Sequence, residues 1–294
     1  RRYLYGDNER GGRMRHLFTN PMLNKEFKLR FRSFKSFVSL FFYLAILGLI
    51  ALLFIYLQTS FESEGFFNPD NSRGMFTLIA FVQLALIFFM TPGLTAGVIS
   101  SEREKQTLNI LLTTQQSSTS IILSKLFSSL SFLLLIVISS LPLYSIVFLF
   151  GGISPKLLFY TFMIYLFTMI TFGSIGVMFS TLIRKTIVAM ICTYGVVFFL
   201  AAGTALLTVF SIGLIGSVGG EGTTNPIPYF IAMFNPFIIM TTNFTPEVHT
   251  EISRYSGIEL PIGVGFVLAF SLLTVGAIIT SIKNLRPNMK KYLK

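Results

Sequence analysis

Six stretches of this chain run for about 20 residues or more with almost no charge, and nothing else in the sequence restricts the fold as tightly. A helix of that length covers roughly 30 Å of hydrocarbon. Lipid offers no partner to a free backbone amide or carbonyl, so each run must satisfy its hydrogen bonds internally, as a helix does. The runs lie at about 36–57, 75–100, 126–150, 157–183, 186–214 and 261–282. With 53% hydrophobic and 12% charged residues, the chain departs far from the roughly 25% charged content of soluble domains. The fold class expected is an all-α polytopic membrane protein. Residues 1–35 form a basic cytoplasmic segment, 36–282 a six-helix transmembrane domain, and 283–294 a basic tail.

The charges outside these runs set an orientation. With both termini in the cytoplasm, the inner segments hold 20 of the 23 Lys and Arg, and the outer ones only Arg73, Lys156 and Arg254. That asymmetry is the positive-inside pattern. The net charge of +11 does not indicate nucleic acid, because the cations flank apolar runs instead of gathering with aromatics on a polar domain. Tryptophan is absent, which leaves Tyr56 and Tyr160 as interface anchors.

Punctuation within and between the runs is also legible. Ser154-Pro155 after Gly151-Gly152 predicts a turn with a serine cap and proline at the first helical position. Arg184-Lys185 leaves almost no loop between the fourth and fifth runs. Pro92 and Pro142 should kink the second and third. The outer segment, about 215–260, contains an apolar stretch from Asn225 to Thr242 broken by Pro226, Pro228 and Pro236. It is too short and too interrupted to cross, and suits a pair of re-entrant or interfacial helices.

Two amphipathic stretches stand out. Leu23, Phe27, Phe31 and Phe34 recur on one helical face, with Lys25, Lys28, Arg32 and Lys35 elsewhere, as in a helix lying on a lipid surface. Between the second and third runs, Ser101 and Glu104 have capping-box spacing, followed by Leu108, Leu111 and Leu112 on one face. The spacing predicts a short docking helix, with Glu102, Arg103 and Glu104 at the end offered to a partner.

Several chemistries are disfavoured. No ionisable residue falls in the middle of a run, where ion-coupled carriers place theirs. Gln83 is the most polar group at depth, suited to an interhelical hydrogen bond or a translocation path. His16 and His249 fall on opposite sides, Cys192 stands alone, and no catalytic or metal-binding constellation is visible. No G-x-x-x-x-G-K-[ST] loop is present, so this chain does not bind ATP in that manner. Gly93 with Gly97, and Gly173 with Gly176, allow helices to approach closely, within the chain or between subunits.

The stretch Ile99-Ser100-Ser101-Glu102-Arg103-Glu104-Lys105-Gln106-Thr107-Leu108 is similar to the E-R-E-x-G-T-L-E signature of type-2 ABC exporter permeases, most like the short bacterial ones. Gln106 stands where glycine is usual, and Asn109 where the second glutamate is usual. Asn20-Pro21 with Lys25-Glu26, Ser180 with Arg184, and Asn235-Pro236-Phe237 are weaker points of likeness, and the resemblance runs from Asn20 onward. It implies a permease in a bacterial cytoplasmic membrane, surrounded by lipid and paired with a second copy or a related permease. Cytoplasmic ABC ATPase subunits would hold the ATP and Mg, and this chain no cofactor. The segment between spans two and three would be the coupling helix, contacting the ATPase through Glu102, Arg103, Glu104, Thr107 and Leu108. The stretch before span one would be a connecting helix. Spans lined by Ser, Thr, Tyr and Phe suit an amphipathic or lipid-like cargo, such as a peptide, a lipid or a hydrophobic drug. The alternatives are an ABC-type complex that senses or transmits force without cargo, and an ion-coupled carrier.

Overall fold

The structure, a computed structural model, describes residues 34–61, 69–108, 117–149, 153–218 and 224–285. Leu23, Phe27 and Phe31 of the expected connecting helix, Asn109 to Leu112, and the tail from 286 lie outside these residues. Phe34 is described, as the exposed first residue of α1.

All regular structure among the described residues is helical. The order is α1 (Phe34–Phe61), α2 (Pro69–Thr95), α3 (Ser100–Glu104), α4 (Ser118–Ser139), α5 (Leu141–Leu149), α6 (Pro155–Leu182) and α7 (Thr186–Phe198). A π-helical turn (Phe199–Gly203) leads into α8 (Thr204–Val218), followed by α9 (Ile227–Ala232), α10 (Pro236–Phe244), α11 (Pro246–Ser256) and α12 (Ile262–Leu285). Among the described residues six helical stretches are long and apolar enough to cross a membrane, close to the expected positions.

Span three differs most from expectation. It begins at Ser118, not near 126, because Ser117 caps it by accepting from the Ser120 amide at 3.2 Å. The polar run that reads as loop is thus the helix start, and Lys125 falls inside the helix. The span breaks between α4 and α5 at Ser140, just before Pro142, which has no N–H to continue the ladder. Span four starts as its spacing predicts, with Ser154 capping Leu157 and Pro155 in the first turn. The stretch from Asn225 to Thr242 holds the expected pair of short helices, α9 and α10, and among the described residues of the outer segment a further helix follows them. The additional one, α11, is polar on one face and buries Ile252 on the other.

Helix α6 is central: it packs against α2, α4, α7, α10 and α12. Its small residues make that possible. A Cβ at Gly176 would lie 2.1 Å from Thr95 Oγ1, and one at Gly173 2.8 Å from Leu130, so α2 and α4 approach α6 at backbone distance. Gly93 and Gly97 serve α7 in the same way, facing Tyr194 at 3.0 Å and Thr186 at 3.2 Å, so both motifs pack within this chain. Phenylalanine fills the remaining space. Phe88 meets Phe172 edge-on at 4.6 Å and Phe237 at 5.0 Å, which seats α10 against α2 and α6. Arg73 fixes the other end of α10 by donating to the Phe244 carbonyl at 2.9 Å, a cation at a helix C-terminus.

A wholly buried polar cluster joins spans two, three and four. Gln83 Oε1 lies 3.1 Å from Ser140 Oγ and 2.6 Å from Tyr144 OH. Tyr144 OH is 3.2 Å from Tyr165 OH, which donates to the Ala80 carbonyl at 2.9 Å. Ser140 Oγ also lies 2.7 Å from the Val137 carbonyl. Each hydroxyl has one proton, so these contacts cannot all be made with the amide oxygen in that position. With Nε2 turned toward Ser140 and Tyr144, it donates to both, Tyr144 donates to Tyr165, and Ser140 is free to donate to Val137. That orientation also removes the orphaned Nε2, leaving an under-used acceptor, the milder deficit. Gln83 is therefore engaged in an interhelical hydrogen-bond cluster.

Candidate functional site

Helix α2 passes Pro92 and ends at Thr95, and the chain turns through residues 96–99 before α3. At this break the Ile99 and Ser100 amides have no backbone acceptor, and Ser180 near the end of α6 supplies one. Its Oγ accepts from Ile99 N at 2.8 Å and from Ser100 N at 2.9 Å. The N-cap of α3 is thus Ile99, with no side-chain cap of its own. This corrects the expected capping box: Ser101 lies inside the helix and Glu104 does not reach back to it.

The carboxylates of α3 are directed to other spans. Glu102 Oε1 accepts from Lys125 Nζ of α4 at 2.5 Å. Lys125 is only 3% exposed and Glu102 26%, so the pair is largely withdrawn from water. Glu102 Oε2 is buried without a hydrogen-bond partner among the described residues. Glu104 takes the first turn of α7: Thr186 N donates to its Oε1 at 2.9 Å and Thr186 Oγ1 to its Oε2 at 2.8 Å. It does what an N-cap residue would do there, since Lys185 has no capping side chain. From Ser72 to Glu104 the chain would measure about 50 Å as helix, well beyond the hydrocarbon thickness, so α3 stands outside the spans. There the Thr186 amide, then its hydroxyl, hold the Glu104 carboxyl below its ordinary range, with a smaller contribution from Lys185. Burial, and secondarily the charge of Arg184, push the Arg103 guanidinium down from its usual value.

The helix is expected to run on to 112, but it stops at Glu104 in a Schellman motif. Gln106 N donates to the Arg103 carbonyl at 3.2 Å and Thr107 N to the Glu102 carbonyl at 3.0 Å. Gln106 occupies the left-handed position of that motif, with φ of 61°. This explains why glycine is usual in the similar signature, and why threonine follows: the Thr107 hydroxyl adds a second contact to Glu102 O at 3.2 Å. Leu108 is buried with Ile99, Ile121, Ile122, Leu126, Val177 and Leu285, so it anchors the loop to this chain's own core. Exposed residues at the tip are Glu104, Lys105, Gln106 and Thr107, with Arg103 half-buried beside them.

Sequence reasoning therefore locates the stretch, with Glu102, Arg103, Glu104, Thr107 and Leu108 all in or beside α3. It misses Lys125 and Thr186, the two partners on other spans. A lone lysine at the edge of an apolar run is the only signal that could have pointed to Lys125. On the opposite side, Asn235 Oδ1 caps α10 by accepting from Phe237 N at 2.8 Å and Ile238 N at 3.1 Å. Its Nδ2 donates to Ala201 O at 2.6 Å and Thr204 Oγ1 at 2.9 Å, at the π-helical turn of span five. A π turn displaces a carbonyl from its usual partner, and Asn235 fills that place.

Six apolar spans and a charged helix bound to three of them define a multi-pass membrane protein. The family model described as ABC-2 family transporter protein matches residues 22–282, nearly the whole chain. The chain belongs to that family and is a membrane permease subunit of an ABC transporter. Comparison with curated proteins finds no matching sequence.

Proposed function

We propose that this permease is driven by separate cytoplasmic ATPase subunits, with α3 as the coupling helix, and that it exports an amphipathic or lipid-like cargo. The observation that carries the coupling role is the attachment of α3 to three spans: through Glu102 to span three, Ser180 to span four and Glu104 to span five. A displacement of α3 by a partner would move those helices together, without depending on a flexible loop. The exposed tip, Lys105 to Thr107, is the surface that an ATPase cleft would take. The carboxylates of Glu102 and Glu104, engaged by other spans, transmit movement instead of making the contact. On this reading the basic side is cytoplasmic. Spans one and five bury only 17% and 22% of their apolar windows, leaving surface for a second permease and for lipid. Among the described residues no charged side chain lies in the middle of a span, which supports an apolar cargo over an ion.

Two sets of variants in the assembled complex test the division between contact and transmission. Lys105→Glu with Thr107→Arg should lose capture of the ATPase subunit while the permease elutes normally. Ser180→Ala and Glu104→Gln should retain capture and lose cargo-stimulated ATP hydrolysis. If the tip variant captures the ATPase as well as the parent, α3 is not the coupling helix. Lipidic or peptide compounds should stimulate hydrolysis. Stimulation by inorganic ions alone would remove the cargo assignment.

A further inference from the structure

Beside α3 lies a cavity of about 670 Å³, at the meeting of the ends of spans two, four and six with the start of span five. That size suits a small-molecule or headgroup site. Arg103, Arg184 and Lys185 line it together with Glu104, Leu182 and Asn284. The single carboxylate offsets part of this charge, acting on Lys185, and leaves three cations against one anion around the space. Among the described residues the only ion pair is Lys125 with Glu102, so none of Arg103, Arg184 and Lys185 lies within ion-pair distance of a carboxylate. Three donors of fixed charge around an open space form a site for an anion carrying several acceptor oxygens.

We propose that this cavity binds a phosphate group, and that its occupant is the headgroup of an anionic phospholipid. The cavity opens where four spans end, at the depth of lipid headgroups. Leu182 at its edge is 45% exposed and Ile187, the second residue of span five, 72%, which provides an apolar wall for the acyl chains below a bound phosphate. A phosphate there would bridge Arg103 of α3 to the turn between spans four and five, joining the charged helix to α7 beside the Glu104–Thr186 contact.

The test uses the full chain purified in detergent and exposed to mixed phosphatidylglycerol and phosphatidylcholine, with retained lipids counted by native mass spectrometry. The parent should retain phosphatidylglycerol preferentially. Arg184→Gln with Lys185→Gln should weaken that retention about 30-fold, taking roughly fivefold for each cation at a lipid surface. Lys156→Gln, a cation lost on the opposite side, should leave retention unchanged. Arg184→Lys with Lys185→Arg should keep it, which separates loss of charge from loss of folding. Displacement by an equal concentration of inorganic phosphate would support the site but make free phosphate the source, and resistance to it would support the lipid. Equal retention of both lipids by the parent would overturn the proposal. So would a double glutamine variant that still retains phosphatidylglycerol yet no longer captures the ATPase, because the cations would then serve a protein contact.

Discussion

Breaking the Glu102–Lys125 pair should loosen α3 from span three, and a mutant cycle can measure the coupling. Removing one partner of a buried ion pair typically costs about 3–5 kcal/mol, because the other charge is left in a poor medium. Lys125 is almost fully buried, but Glu102 is 26% exposed and already screened in part by water. The expected cost of Glu102→Gln is therefore about 2–3 kcal/mol. Lys125→Met should cost less, roughly 1–2 kcal/mol, because the remaining carboxylate can rehydrate and the methionine fills the lysine's place among Ile121, Ile122 and Leu126. With both changes the burial penalty disappears, so the double variant should fall short of the sum by about 1–2 kcal/mol. Denaturant unfolding of the four purified proteins in one detergent gives all the values needed. Effects that add to within about 0.5 kcal/mol would show that the two groups are not coupled, and that α3 is held by Ser180 and Glu104 alone.

Gln106→Gly should raise stability by up to about 1 kcal/mol, since the left-handed position costs a side chain about 1–2 kcal/mol and glycine returns part of that as unfolded-state entropy; a lower unfolding midpoint would mean the strain is not there. Asn235→Asp keeps the cap on α10 but removes both donors to the π turn and sets a carboxylate against the Ala201 carbonyl. It should cost about 2–4 kcal/mol, more than Asn235→Ala, and the reverse order in thermal unfolding would remove the link to span five. In a Cys192→Ser background, cysteine at exposed Thr250 should react with an impermeant thiol reagent in intact cells, and cysteine at exposed Lys105 should not. Labelling of the Lys105 position from outside would invert the topology.

What could be read in advance follows from the physics of each feature. Span number and approximate position depend only on local composition, because the hydrocarbon thickness and the need for internal hydrogen bonding act on each segment separately. The cap at Ser154, the break near Pro142 and the absence of loop at Arg184-Lys185 are likewise local. The charged stretch around Glu102 could be found because charge is rare in this chain. Its partners could not. Glu104 and Thr186 are 82 residues apart, Ser180 and Ile99 81, and Glu102 and Lys125 23, and no periodicity connects them. The apparent capping box at Ser101 was misleading for the same reason: spacing shows which groups could pair locally, while the packing of α6 against α2 brings in Ser180 as a more distant acceptor. The sequence alone determined that the chain crosses a membrane six times and where its charge lies. Only the tertiary structure decided which spans that charge holds, because a hydrogen bond across the fold depends on how close the helices come, and that closeness is set by glycines such as Gly176 whose contacts lie far away in the chain.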